Sequence, residues 1–155
     1  MILKKYKVFI IIFTLILIIV LIGTVTYLIL NNPFNIFQRK FNFKLPSTVK
    51  IINKSYSFYD DSLELKVFFG VDDYQKIVNG MKEYAAKTGM YEVEKENDTL
   101  MFTIEVYCTW WNKEQEDSIL AYHAFEKGKW GAMTRTVCVL ITQDSEGQYF
   151  LHIYY

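Results

Sequence analysis

From Val8 to Leu30 the chain reads VFIIIFTLILIIVLIGTVTYLIL, 23 residues without a charge, whose only polar side chains are Thr14, Thr24, Thr26 and Tyr27. As a helix rising about 1.5 Å per residue it covers roughly 34 Å, enough for a hydrocarbon core of about 30 Å with slight tilt. In lipid its β-branched residues do not oppose the helix, because only a helix satisfies every backbone N–H and C=O within a single span. Asn31, Asn32 and Pro33 stop it, since proline cannot continue the ladder and disfavours helix in its predecessor. A buried core helix of a soluble protein is the competing reading, and the length and absence of charge stand against it.

Lys4, Lys5 and Lys7 precede the run, as in a secretory signal. Signal h-regions, however, span only about 7 to 15 residues and end at a small-residue cleavage site. No such site follows here, and a lipoprotein cysteine is lacking because the first cysteine is Cys108. The sequence therefore predicts an uncleaved signal anchor. Orientation is set by proximity rather than number, since Lys4, Lys5 and Lys7 are matched by Arg39, Lys40 and Lys44 beyond the span. The lysines abut the span, and long C-terminal domains cross largely regardless of charge. The expected organisation is a basic cytoplasmic tail at 1–7, a transmembrane helix at 8–30 in the lipid bilayer of the cell membrane, a juxtamembrane linker at 31–44 and an extracytoplasmic domain at 45–155.

Charge is distributed unevenly behind a formal net of +0. Residues 31–59 carry Arg39, Lys40, Lys44, Lys50 and Lys54 and no acid, whereas all 17 acids lie from Asp60 onward. The basic stretch would lie near anionic headgroups, or serve as a solvated linker. Phe34, Phe37, Phe41 and Phe43 within it fit an amphipathic collar on the membrane, or a strand entering the domain. The acidic remainder argues against a nucleic-acid partner.

The domain reads as α+β, with a mainly antiparallel sheet and one clear amphipathic helix. Val49 to Ile52 is a short candidate strand, and Asp60, Asp61 and Ser62 make a turn. Leu63, Leu65, Val67 and Phe69 then alternate with Glu64, Lys66 and Phe68, the pattern of a half-buried strand. Asp72 with Gln75 predicts a capped helix start, and Tyr74, Ile77, Val78, Met81, Tyr84 and Ala85 share one helical face that Gly89 terminates. A second strand is expected from about Thr99, where Phe102, Ile104, Val106, Cys108 and Trp110 alternate with their neighbours. Ser118 to Phe125 fits helix and strand equally, and Gly128 and Gly131 bracket a loop around Trp130. A hairpin closes the chain, with Thr134 to Gln143 and Gln148 to Tyr155 flanking a four-residue turn that ends in Gly147. Opposing Gln143 to Gln148 pairs Cys138 with Ile153 and Leu140 with Leu151 on one face, and Val139 with His152 and Ile141 with Phe150 on the other. Both faces are apolar, which implies cover on both sides or a face left for a partner.

Chemical signatures are sparse. An exported domain permits a disulfide between Cys108 and Cys138, and two buried thiols are the alternative. His123 and His152 are the only histidines, without metal-ligand spacing, so no metal or cofactor is expected. Asp60-Asp61 and Asp72-Asp73 read as turn and cap chemistry rather than a calcium loop. No nucleophile elbow or glycine-rich phosphate loop occurs. What remains is aromatic: Trp110, Trp111, Tyr122, Trp130 and Tyr154 make a candidate binding surface if exposed and a core if buried.

A basic N-terminus with one apolar span, the entry motif of Leu45, Pro46, Ser47, Lys50 and Ile51, and the ending of Gly147, Tyr149, Leu151, Ile153 and Tyr155 resemble small single-pass membrane-anchored bacterial proteins of unknown function. The resemblance implies an envelope location and no activity. The expected function is a membrane-tethered extracytoplasmic interaction or regulatory module that binds a protein partner and performs no catalysis. The alternatives are an envelope enzyme acting on cell-wall sugars through Glu105, Asp117 or His123, and a purely structural membrane component.

Overall fold

The computed structural model describes residues 2–57, 61–94, 97–127 and 134–155. The first element is α1 (Ile2–Leu30), in which Phe9–Leu30 has mean hydropathy 3.0 and none of its surface buried, making it long and apolar enough to cross a membrane. Thr14 and Thr24 return their hydroxyls to the carbonyls of Ile10 and Val20, so neither leaves an unpaired donor on the apolar helix.

Pro33 does not lead into a linker. It opens α2 (Pro33–Phe41), where its missing N–H costs nothing, and Asn32 caps the helix by accepting from the Phe34 N–H at 2.9 Å. The 31–44 stretch expected to be a linker thus contains a helix whose Ile36, Phe37 and Phe41 are completely buried. Phe37 stacks on Phe41 at 4.7 Å, and Phe41 meets Tyr84 at 4.6 Å and Tyr155 at 5.8 Å. Lys40 bonds Asp61 at 2.9 Å and lies 3.8 Å over the Tyr155 ring. The phenylalanines pack on the domain core, and the segment is a helix rather than the alternative strand.

Next come β1 (Lys50–Ser57), β2 (Ser62–Phe69), α3 (Val71–Thr88), β3 (Tyr91–Glu92), α4 (Asp98–Tyr107), β4 (Glu116–Lys127), β5 (Thr134–Asp144) and β6 (Tyr149–Tyr154). The strands form one antiparallel sheet in the order β1-β2-β6-β5-β4-β3. Hairpins supply the local pairings, and α3 carries the chain from β2 across the sheet to its far edge. The fold is α+β, as the sequence predicts.

Alternation decides which side of each strand is buried. Leu63, Leu65, Val67 and Phe69 meet Val137, Val139, Ile141, Leu151 and Ile153 in the larger core, beneath α2 and α3. The α3 face is the one expected, but the helix starts at Val71 behind Gly70, which offers no side-chain cap. Asp72 therefore lies in the first turn, where its charge favours the helix dipole, rather than at the N-cap. Gly89 ends α3 at φ 72° as expected. Phe43 packs so closely on α3 that a Cβ at Gly80 would come within 2.6 Å of its ring.

The opposite face is covered by α4, and here the expected strand is overturned. Leu100, Met101, Ile104, Tyr107 and Cys108 recur at helical spacing and pack with Val93, Ala121, Cys138 and Leu140. Asn97 caps this helix by accepting from the Leu100 N–H at 3.2 Å. The residues that alternation placed inside, Phe102 and Val106, are 64% and 50% exposed. Ser118 to Phe125 becomes the middle of β4, its ambiguity resolved by pairing with β5.

The closing hairpin forms, but its register differs by one residue: Gln143 opposes Tyr149, Val139 opposes Ile153, Leu140 opposes His152 and Ile141 opposes Leu151. The reason is the turn. The Asp144 N–H donates to the Gln148 carbonyl at 3.0 Å, leaving three residues in the loop, with Gly147 at φ 79°. A left-handed residue at the end of a three-residue loop is the common solution for this connection. Gly147→Ala should therefore cost about 1 kcal/mol, because a Cβ disfavours that conformation. Chemical denaturation of the two chains side by side measures it, and equal stabilities would contradict the assigned turn.

Candidate functional site

Four polar side chains lie buried on the α4 side of the sheet. Lys66 comes from β2, His152 from β6, Thr142 from β5 and Glu116 from the start of β4, and strand pairing sets Lys66 directly opposite His152. The Glu116 carboxylate is the hub. Its Oε1 pairs with Lys66 Nζ, while Oε2 accepts from Thr142 Oγ1 at 2.8 Å and from His152 Nε2 at 2.9 Å. Lys66 also donates to the Trp110 carbonyl at 3.1 Å, and the Trp111 indole donates to the Glu116 carbonyl at 3.1 Å. The loop after α4 is thus clasped to the network by two adjacent tryptophans.

Burial works against an ionised Glu116, but hydrogen bonds from His152, Lys66 and Thr142 outweigh it and hold its pKa at about 2. Burial depresses His152, and the Glu116 carboxylate beside it only partly offsets that. His152 Nδ1 has no hydrogen-bond partner among the described residues, which fits a neutral ring donating from Nε2, because an imidazolium would need a second acceptor. The charged pair is accordingly Lys66 with Glu116, and His152 and Thr142 fill the remaining valences.

Access to this network is narrow. The void lined by His152, Trp110, Tyr107 and Cys108 holds about 10 Å³, room for a single water. Beside Glu116 lies a wider cleft of about 480 Å³, lined by Lys113 to Asp117 and by Asp144, Ser145 and Glu146. No group of three or more potential metal ligands occurs among the described residues.

The residues expected to form an aromatic surface do not share one. Trp111 and Tyr154 pack onto the smaller cluster with α4, Tyr154 against Tyr107 at 4.8 Å. Tyr122 points the other way into the larger core, with its hydroxyl donating to Glu92 at 3.4 Å. Trp110 is half-buried over the network, and Trp130, with the loop between Gly128 and Gly131, lies outside the described residues, as does Asp60. Cys108 and Cys138 are free thiols buried in the smaller cluster. Burial pushes both up, Cys138 to about 12, so neither has thiolate character.

Nor are the residues of the enzyme alternative gathered. Glu105 pairs with Lys113 at 2.9 Å, while Asp117 opposes Gln143 and His123 opposes Cys138. Asp117 and His123 stand six positions apart on one strand, about 20 Å. Besides Phe102 and Val106, Tyr91 and Phe125 are 64% and 63% exposed. Tyr91 opposes His123, and Phe125 lies two residues further along β4, so both project on the side that carries α4. No family model, curated protein or solved structure matches this chain.

Proposed function

We propose that the chain is a membrane-tethered interaction module, in which α1 spans the cell membrane with residues 1–7 in the cytoplasm and the domain outside, and the α4 side of the sheet binds a protein partner. The observation that carries this reading is the outer face of α4. Phe102 and Val106 stand one turn apart on a helix whose other face is packed, and they leave large apolar side chains in water with Tyr91 and Phe125 on the same side. Phe and Tyr are frequent interface anchors. The buried network beneath supplies rigidity for such a face rather than reactive groups.

The test is a photo-crosslinking amino acid placed at Phe102 or Val106, with Glu83 on α3 as control, in cells that make the full chain. A discrete adduct at 102 and 106 that is absent at 83 is expected, and equal yields at all three positions would contradict the proposal. A second reading, an envelope enzyme acting on cell-wall sugars, is favoured by Asp117, Asp144 and Glu146 sharing one cleft. No aromatic ring lines that cleft to stack on a sugar, and Asp117→Asn would abolish activity if this reading held.

A further inference from the structure

The end of α1 is bound to the domain by side chains of α2. Asn35 Nδ2 donates to the Ile29 carbonyl at 2.8 Å and Arg39 Nη2 to the Leu30 carbonyl at 2.8 Å. Both carbonyls belong to the last turn, which a helix leaves short of its own donors, and that of Ile29 accepts from the Asn32 N–H at 3.3 Å as well. If α1 crosses a bilayer, its last turn lies at headgroup depth, and Asn35 and Arg39 lie there with it.

Asn35 also lines a pocket of about 160 Å³ between α2 and the segment 44–47. Its walls are mixed in a particular way. Phe34 and Pro46 contribute apolar surface, Gln38 and Ser47 contribute hydrogen-bond donors, and Lys44 contributes a cation. No carboxylate lines it. Lys44 forms no ion pair among the described residues, whereas Lys40, the next cation back along the chain, is neutralised by Asp61. The pocket therefore keeps an unspent positive charge beside donors suited to phosphate oxygens and apolar walls suited to the first carbons of a lipid, and Asn35 joins it to the end of α1.

We propose that this pocket binds the headgroup of an anionic phospholipid in the leaflet that the C-terminal end of α1 reaches. The inference rests on the membrane-spanning reading of α1. A free phosphate would use Lys44, Gln38 and Ser47 and leave Phe34 and Pro46 without a role, whereas a lipid uses both halves. Basic segments beside a span are drawn to anionic lipid, and Arg39, held at the end of α1, adds to the attraction.

The test uses the full chain in phosphatidylcholine nanodiscs doped with one of two photoactivatable phosphatidylglycerols, reactive in the headgroup or at the acyl tail. The headgroup probe should label residues 33–47 preferentially. Lys44→Gln, a change at an exposed side chain, should reduce that labelling several-fold, and unlabelled phosphatidylglycerol should compete where phosphatidylcholine does not. Labelling that is uniform over the domain, is unchanged in Lys44→Gln or is displaced equally well by inorganic phosphate would overturn the proposal. The tail probe separates the two readings. Tail labelling of 9–30 without headgroup labelling of 33–47 defeats this inference alone, and absence of tail labelling defeats the membrane span and the pocket's lipid together.

Discussion

Glu116→Ala should destabilise the domain by about 3 to 5 kcal/mol, because it leaves the Lys66 ammonium buried without its counter-charge and takes from His152 and Thr142 the carboxylate they share. The effect is one of broken partnership rather than lost attraction. Replacing both members of the pair, as Lys66→Met with Glu116→Leu, should cost far less, since neither charge then needs a partner and His152 Nε2 retains Thr142 Oγ1 at 3.1 Å. Denaturant unfolding of the single and double variants measures the difference. A double variant as unstable as Glu116→Ala would mean that the pair contributes much more than it costs to bury.

Acid should act in two stages, on His152 and Glu116 of this network and on His123 outside it. His152 and His123 are both depressed by burial, so the unfolded chain takes up their protons first, and stability falls as pH drops below about 6.5. Glu116 is lowered from 4.5 to about 2, so its contribution is complete above 4.5 and is lost as pH falls towards 2. His152→Gln should shrink the first stage and leave His123 to account for the remainder.

The second large effect concerns where the domain begins. A chain starting at Leu45 lacks Ile36, Phe37 and Phe41, each essentially inaccessible to solvent, and should show no cooperative unfolding, whereas one starting at Asn32 should melt cooperatively. Deleting one buried phenylalanine side chain typically costs about 3 to 5 kcal/mol, and two phenylalanines and an isoleucine together rival the whole stability of a domain, about 5 to 15 kcal/mol. Thermal melts followed by near-ultraviolet circular dichroism compare the two chains directly. Equal melting would place α2 outside the cooperative unit and contradict its role in the core.

These residues also mark where sequence patterns are ambiguous. The apolar run of α1, the alternation of β2 and the single face of α3 are long and regular, and each can be read without knowing its neighbours. The α2 segment could not be read so, because Phe37 and Phe41 among basic residues satisfy a membrane collar and a core helix alike until Tyr84 and Tyr155 are known to lie beneath them. In α4 the pattern satisfies both periods: Phe102, Ile104 and Val106 alternate, while Leu100, Met101, Ile104, Tyr107 and Cys108 follow a helical turn. The Asn97 cap and the apolar sheet face decide for helix. The hairpin turns on one bond, Asp144 to Gln148, which moves the register by one and gives Cys138 and Leu140 the partners Tyr154 and His152. The buried network was the least legible, because Lys66, Glu116, Thr142 and His152 come from four strands. Its trace is four polar residues interrupting apolar strands, a signal that strand edges share.

The proposed topology, α1 across the membrane with the domain outside, can be read from thiol accessibility. Because Cys108 and Cys138 are buried, the native chain should react little with maleimide without denaturant, and Asn112→Cys would place a reporter at an exposed position in the loop after α4. A membrane-impermeant maleimide should then label Asn112→Cys in intact cells, while Lys4→Cys should react only after lysis. The reverse pattern, Lys4→Cys labelled in intact cells and Asn112→Cys only after lysis, would put the domain in the cytoplasm and contradict the account.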